Sequence, residues 1–522
     1  MAKFQIFLKR CGARPLTARK IAGMNARKCF REGILSKLWV LLGNKANGKS
    51  RINCCLGTYK EIMFIKISKR IEVNSPQPNL SKRLTLKFIT STPALVLLPS
   101  MMLTACGGGS TSAENSSQYV SNAEEAATIA LAMASLARSD GTYGVGGVII
   151  ENSTGKVIKA MQNRVVQPLG SNIGVMSNRA YTNDPTAHGE VQLVTWYYAN
   201  AQALNLPTPD KLTIVSSLDP CAMCAGTLIT SGFNVAVVAY DEVAGINWNT
   251  DFNFLNMPSI VQTKLLNQFG YYAIGGMNPT RQYVGASHVD FSNTAVSYAT
   301  GHGCLTVFTD SSNAVRNSIA GNGLEPRNPA GQTPMDDPAS NTKIKNAFQA
   351  IWPDAFSIKL TNYRAPTPEL KTYLLSLVAQ KPGSRNAVAF IDFYGNLLMA
   401  TADRFDISPI QTAMMTVIQN YSRLLFQLIN TANTSSLAQQ TLTNPKYGTF
   451  VYLYAPSAED TTTLKDMGAF GSSMAGNIPV TSPSNLQFYE DPLNNISSLR
   501  RLIAGMPPIY RLGYEINPQP VT

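Results

Sequence analysis

Asp184-Pro185-Thr186-Ala187-His188-Gly189-Glu190, followed by Leu218-Asp219-Pro220-Cys221-Ala222-Met223-Cys224, is the pair of segments on which the reading of this chain turns. One imidazole and two thiolates can hold a zinc ion through three protein ligands and leave a fourth position for water. His188, Cys221 and Cys224 are the candidates. Pro220 ends a strand and starts a helix, which places Cys221 beside the first helical N–H groups and favours its thiolate. Cys221 and Cys224, three apart, share a helical face. Glu190 is expected about 200° round its own helix from His188, at ~100° per residue, so it reads as a proton shuttle and not as a ligand. The chain has three histidines among 522 residues, so this order of groups is hard to obtain from composition alone.

Other readings stay open for the same residues. A closed structural zinc site needs a fourth donor, for which Glu190 is the obvious choice, and Cys-x-x-Cys alone also serves redox exchange. His288, His302 and Cys304 are read as ordinary loop residues, not as a second metal cluster.

The net charge of +13 is confined to one end. Residues 1–105 hold 20 Lys and Arg against Glu32, Glu61 and Glu72, while the rest of the chain holds 24 basic and 28 acidic side chains. Such a body lacks the basic footprint of a nucleic-acid binder. Lys82, Arg83 and Lys87 precede an apolar run from Phe88 to Leu103 that ends in Leu103-Thr104-Ala105-Cys106, a secretory signal pattern. Its ending resembles the lipobox of bacterial lipoproteins, which implies lipidation of Cys106 and, with Gly107 following, an outer-membrane address. A leader of ordinary length starts at Met63, so 1–62 is read as a basic extension ahead of the true start. A chain beginning at Cys106 would keep Cys106, Cys221, Cys224 and Cys304, too few for a disulfide framework once lipid and metal are counted.

Beyond a Gly/Ser-rich tether at 106–117, hydrophobic periodicity predicts a helix over 123–137, strands at 143–151 and 156–162, and a helix over about 186–203. A strand at 212–217, a helix at 221–230 and a strand at 235–240 follow. That order predicts an α/β fold, a three-layer α/β/α sandwich with a mixed sheet. Residues 245–345, rich in Gly, Asn, Ser and Pro, are expected to supply insertions at a pocket mouth and a linker.

With the elements in that order, residues 116–245 resemble the tRNA adenosine deaminase and guanine deaminase branch of the cytidine deaminase-like superfamily. Residues 184–190 match its Asp-Pro-Thr-Ala-His-Ala-Glu with Gly189 for Ala, and Pro220–Gly226 match its Pro-Cys-x-Met-Cys-Ala-Gly. The resemblance implies Zn2+ on His188, Cys221 and Cys224, Glu190 as catalytic proton shuttle, and Asn163 as a contact to the base. It also implies dimer-like packing, from a second copy or from a second domain in cis.

An internal echo supplies such a domain. Ala387–Gly395 parallels Val145–Gly155, Asn396–Arg404 parallels Lys156–Arg164, and Ser408–Met414 stands in the place of 184–190. His188 then becomes Thr412, Glu190 becomes Met414, and no cysteine follows. The expected layout is a basic extension (1–62), a signal peptide (63–105), the tether, a zinc deaminase domain (118–310), a linker (311–364) and a degenerate deaminase-like α/β domain (365–522) unable to hold zinc.

The expected activity is hydrolytic deamination of a nucleobase, nucleoside or small heterocyclic amine, purine before cytosine, by an exported, membrane-anchored lipoprotein. An exported non-catalytic binding module with a structural zinc is the rival from another class. A deaminase acting on single-stranded nucleic acid would need a basic groove.

Overall fold

The computed structural model describes residues 118–172, 179–248, 252–272, 284–286, 296–321, 333–473, 485–513 and 515–522. The basic extension, the leader, Cys106, the tether and His288 lie outside the described residues. Helix α1 (Ala123–Ser139) starts at Asn122, whose side chain accepts from the Glu125 N–H. The first sheet follows with β1 (Gly146–Glu151), β2 (Val157–Gln162), and a side ribbon of β3 (Val166–Pro168) and β4 (Ala180–Thr182). Then come α2 (Gly189–Asn200), β5 (Leu212–Leu218), α3 (Ala222–Ser231), β6 (Asn234–Ala239), α4 (Ser259–Gln268), β7 (Phe269–Tyr271) and β8 (Val284–Gly285). The strand order is β2-β1-β5-β6-β7-β8. β1 is antiparallel to β2 and β5, whereas β5, β6 and β7 run parallel.

Pleating sends alternate residues to opposite faces, and both faces are dry. Val148 and Ile150 pack under the small residues of α1, together with Cys304 of α5 (Tyr298–Gly321). Ile149, Ile214, Val235 and Val237 face the other way, against α2, α3 and α4. This is the three-layer α/β sandwich expected from the element order.

The second sheet is built the same way. After α6 (Thr342–Gln349) and α7 (Pro368–Ala379) come β9 (Ala387–Ile391), β10 (Leu397–Ala402), α8 (Ala413–Ile429) and α9 (Ser435–Thr441). β11 (Thr449–Tyr454), α10 (Thr461–Ser473), β12 (Asn485–Glu490), α11 (Asn495–Gly505) and β13 (Pro518–Pro520) complete it, in the order β10-β9-β11-β12-β13. Strand directions repeat those of the first sheet, antiparallel for β10-β9-β11 and parallel for β11-β12-β13. Even the hairpin turns agree. Gly155 (φ +72°) and Gly395 (φ +89°) occupy the left-handed region, and each carbonyl accepts from a residue upstream, Val120 or Leu360. The equivalence therefore reaches back to Ile358–Leu360, ahead of 365.

The stretch 245–345 departs from the sequence expectation. It carries α4, the sheet strand β7 and the 24-residue α5, which runs unbroken past 310. Buried positions on α5 are mostly small (Thr300, Cys304, Ser311, Ser312, with Val315), so the helix has no strong apolar stripe to betray it. Ile344 and Phe348 of α6 are also fully buried, in the core of the second sheet's side. Among the described residues no helix is long and apolar enough to cross a membrane.

The helical layers of the two repeats meet face to face and share one continuous core. α3 and α10 approach most closely. A Cβ on Gly226 would collide with the backbone of Lys465, and one on Gly468 with the backbone of Met223. Gly468→Ala is expected to cost about 3 kcal/mol or more, at the upper end for overpacking, because backbone cannot yield as a side chain does. Urea unfolding of the variant against wild type checks this, and a loss below about 1 kcal/mol would contradict so close a contact.

Candidate metal centre

Both ligand-bearing segments sit where a strand or turn becomes a helix. His188 is the N-cap of α2 and Cys221 the N-cap of α3, each with extended backbone and neither spending its side chain on a capping hydrogen bond. This corrects the placement of His188 inside a first helical turn. Its side-chain direction follows from cap geometry and not from the 200° helical offset. Cys224 lies three residues into α3, and the ring nitrogen and two sulfurs all fall within 4.8 Å of one another. His188 Nδ1 is 3.6 Å from Cys221 Sγ and 3.5 Å from Cys224 Sγ, and the thiols are free, not joined to each other. Cys224 is buried, while His188 and Cys221 are partly exposed.

Glu190 is buried beside them. One carboxylate oxygen lies 3.5 Å from Cys224 Sγ, and the other accepts from Ser216 Oγ at 3.1 Å. Burial pushes the Glu190 carboxyl above its usual range, with the His188 charge opposing. A hydrogen bond from Cys224 holds the Cys221 thiol well below its usual range despite burial, whereas burial pushes Cys224 up. One thiolate is thus favoured before any metal enters.

The neighbouring loops are braced. Asp219 is buried, accepts from Tyr271 Oη at 2.9 Å and from the Asn247 N–H at 3.1 Å, and so ties the start of α3 to β7 and to the segment after β6. Gln192 Nε2 donates to the carbonyls of Gln162 and Ala187, fastening the end of β2 to the residue before His188. Asn163, at that strand end, is buried. Its Oδ1 accepts from Thr142 Oγ1 at 2.8 Å and the Val165 N–H at 2.9 Å, and its NH2 makes no hydrogen bond among the described residues. Ser216, Asp219 and Gln192 had no separate signal in the sequence, since a polar residue in or beside an apolar strand reads only as an interruption. His302 stacks on Tyr298 and Cys304 is buried against α1, so neither joins a metal cluster among the described residues.

Residues 120–240 match the family model for the cytidine and deoxycytidylate deaminase zinc-binding region. The match holds Asn163, His188, Glu190, Cys221 and Cys224, and ends before α4. Among solved structures the chain is similar to one from a study of A-to-I editing by tRNA:A34 deaminases, at 22% identity over 24% of this chain and 81% of that one, with a TM-score of 0.18. It is also similar to a guanine deaminase from Nitrosomonas europaea, at 14% identity over 38% of this chain and 89% of that one, with a TM-score of 0.22. Comparison with curated proteins returned no match. The His/Cys/Cys group of the zinc-binding region fits zinc in donor type, in number and in closeness.

Among the described residues the second repeat holds no such group. The reciprocal contacts of Gly226 with Lys465 and of Gly468 with Met223 pair α3 with α10, so Cys224 corresponds to Asp466 and Cys221 to Thr463. Thr412 is the N-cap of α8, as His188 is of α2. Where the first repeat gathers metal donors, Lys465 Nζ donates to Thr412 Oγ1 and Asp466 Oδ1, both at 2.7 Å, and is wholly buried. An internal ammonium stands where a cation would otherwise be needed. Burial presses Lys465 below and Asp466 above their usual ranges, while each charge sustains the other. Lys465→Met, which installs the residue of position 223, should cost about 3–5 kcal/mol by leaving a buried carboxylate unpaired. Lys465→Met with Asp466→Leu should recover much of that loss. Denaturation midpoints of the three proteins measure it, and equal stability of the single variant and wild type would refute the buried pair.

Proposed function

We propose that this protein is a zinc-dependent hydrolytic deaminase of a nucleobase, nucleoside or related small heterocyclic amine, with purines preferred. The observation that carries the reading is a buried carboxylate, Glu190, 3.5 Å from one sulfur of a partly exposed three-donor group, yet outside that group. Zinc held by His188, Cys221 and Cys224 would supply an ionised water at neutral pH, by lowering its pKa from 15.7 to about 7. Glu190 is placed to accept the proton that water gives up as the C–O bond forms and then to pass it to the amine nitrogen, so that the C–NH2 bond breaks in a second step and ammonia leaves. Ser216 keeps the carboxylate turned towards the sulfurs. The uncommitted NH2 of Asn163 offers a donor to an acceptor atom on the ring.

The purine preference rests on the Pro220-Cys221-Ala222-Met223-Cys224 form and its resemblance to the purine-acting branch. The mildly acidic body favours a small substrate over folded RNA.

Purified protein incubated with purine and pyrimidine bases and nucleosides should release ammonia and carry one zinc per chain. Glu190→Gln should lower turnover by about 10²–10⁴-fold while zinc content is kept. Full activity in that variant would overturn the shuttle, and zinc without turnover on any amine would favour a binding module. The lipobox-like sequence around Cys106 supports an address for the enzyme outside the cytoplasm on a lipid anchor. Cys106→Ala should move it from the membrane to the soluble fraction, and a variant still sedimenting with membranes would contradict the anchor.

A further inference from the structure

The turn that delivers His188 is held from the opposite repeat. Asp184 is buried, and its Oδ1 accepts from the Thr186 N–H and from Thr186 Oγ1, both at 2.8 Å. The backbone continues the same turn, with the Ala187 N–H on the Asp184 carbonyl and the His188 N–H on the Thr186 carbonyl. From α8 of the second repeat, Arg423 Nε and Nη2 donate to Asp184 Oδ2 at 3.0 and 2.6 Å. Gln419 Nε2 donates to Thr186 Oγ1 at 2.9 Å. Gln419 and Arg423 are four apart and therefore lie on one helical face. Each grips one of the two residues from which the backbone of His188 hangs.

The grip runs one way only. Counted from the helix N-caps, Gln419 and Arg423 correspond to Thr195 and Ala199 on α2, and Asp184 corresponds to Ser408. Alanine cannot donate, and Ser408 has no carboxylate to receive a guanidinium. A merely symmetric interface would reproduce the contact in both directions. Among the described residues the contact is made beside the His188, Cys221 and Cys224 group and has no counterpart beside the buried Lys465.

We propose that Arg423 and Gln419 are positioning residues for the metal centre, so that the repeat without metal ligands sets the position of His188 in the repeat that has them. The proposal rests on the reading of His188, Cys221 and Cys224 as a zinc site. Zinc–nitrogen and zinc–sulfur distances tolerate only about 0.2 Å, so a turn that drifts weakens the site without unfolding it. The carboxylate–turn–histidine chain has the logic of an outer-shell partner, whose loss typically costs 10–100-fold in metal affinity or activity.

The experiment uses the full chain loaded with zinc, transferred to a chromophoric chelator well below the unfolding temperature, and in parallel the cobalt(II)-substituted protein. Arg423→Ala and Gln419→Ala together should speed zinc release about 10–100-fold and alter the cobalt d–d and thiolate charge-transfer bands. Arg423→Lys should recover part of the loss, since it keeps the charge but not the two-nitrogen contact. Leu374→Ala serves as control. That residue is fully buried on the far face of the second sheet, so it loosens the same repeat without touching the turn. Zinc release and cobalt spectra unchanged in the double variant overturn the proposal, as does Leu374→Ala releasing zinc equally fast. Wild-type protein that takes up no zinc overturns the zinc reading itself, a result separate from the other two.

Discussion

The close contact of α3 with α10 is the constraint on which the architecture depends. Two helices can bring backbone against backbone only where a side chain is missing, and Gly226 and Gly468 provide those gaps on opposite partners. The contact lies between Cys221 and Cys224 on one side and beside Lys465 and Asp466 on the other. It therefore sets, in one place, the start of the metal-bearing helix and the start of its counterpart. The shared core around it makes the two repeats one folded body.

Within that body the repeats have diverged in how they meet the same electrostatic need. Both clusters bring acidic groups together at a helix start, and a cation beside them offsets the charge they carry when ionised. The first repeat gathers donors suited to zinc, with His188 and Cys221 at the N-caps of α2 and α3 and Cys224 in the first turn of α3. The second has an ammonium delivered by Lys465 from its own helix, hydrogen-bonded to Thr412 and Asp466. An internal cation needs no uptake from solution, and the Lys465 ammonium is committed to Thr412 and Asp466. This half retains a mechanical role, through α8, on the turn that precedes His188.

The layered burial of the donor group shapes its electrostatics. Cys224 and Glu190 are enclosed, which raises the proton affinity of both, whereas Cys221 takes hydrogen bonds that favour its thiolate. His188 and Cys221 border solvent. The sulfur most disposed to ionise thus lies nearer solvent than the Glu190 carboxyl.

Much of this was legible from residue order. The two ligand segments, Glu190 beside them, the strand and helix pattern of 123–240 and the echo at 387–414 all follow from short-range signals: periodicity, Pro and Gly punctuation, and motif spacing. These are properties of neighbouring residues, and the chain states them directly. Three things were decided only by tertiary structure. α5 hides its buried side behind Thr300, Cys304, Ser311 and Ser312, so its membership of the first sandwich depends on what it packs against and not on its own periodicity. The equivalence of Lys465 with Met223, and hence the filled second site, rests on a helix pairing across 242 positions of sequence. The clasp of Arg423 and Gln419 on Asp184 and Thr186 joins residues more than 230 apart, and no local pattern records a hydrogen bond whose partners meet only once both sheets have folded.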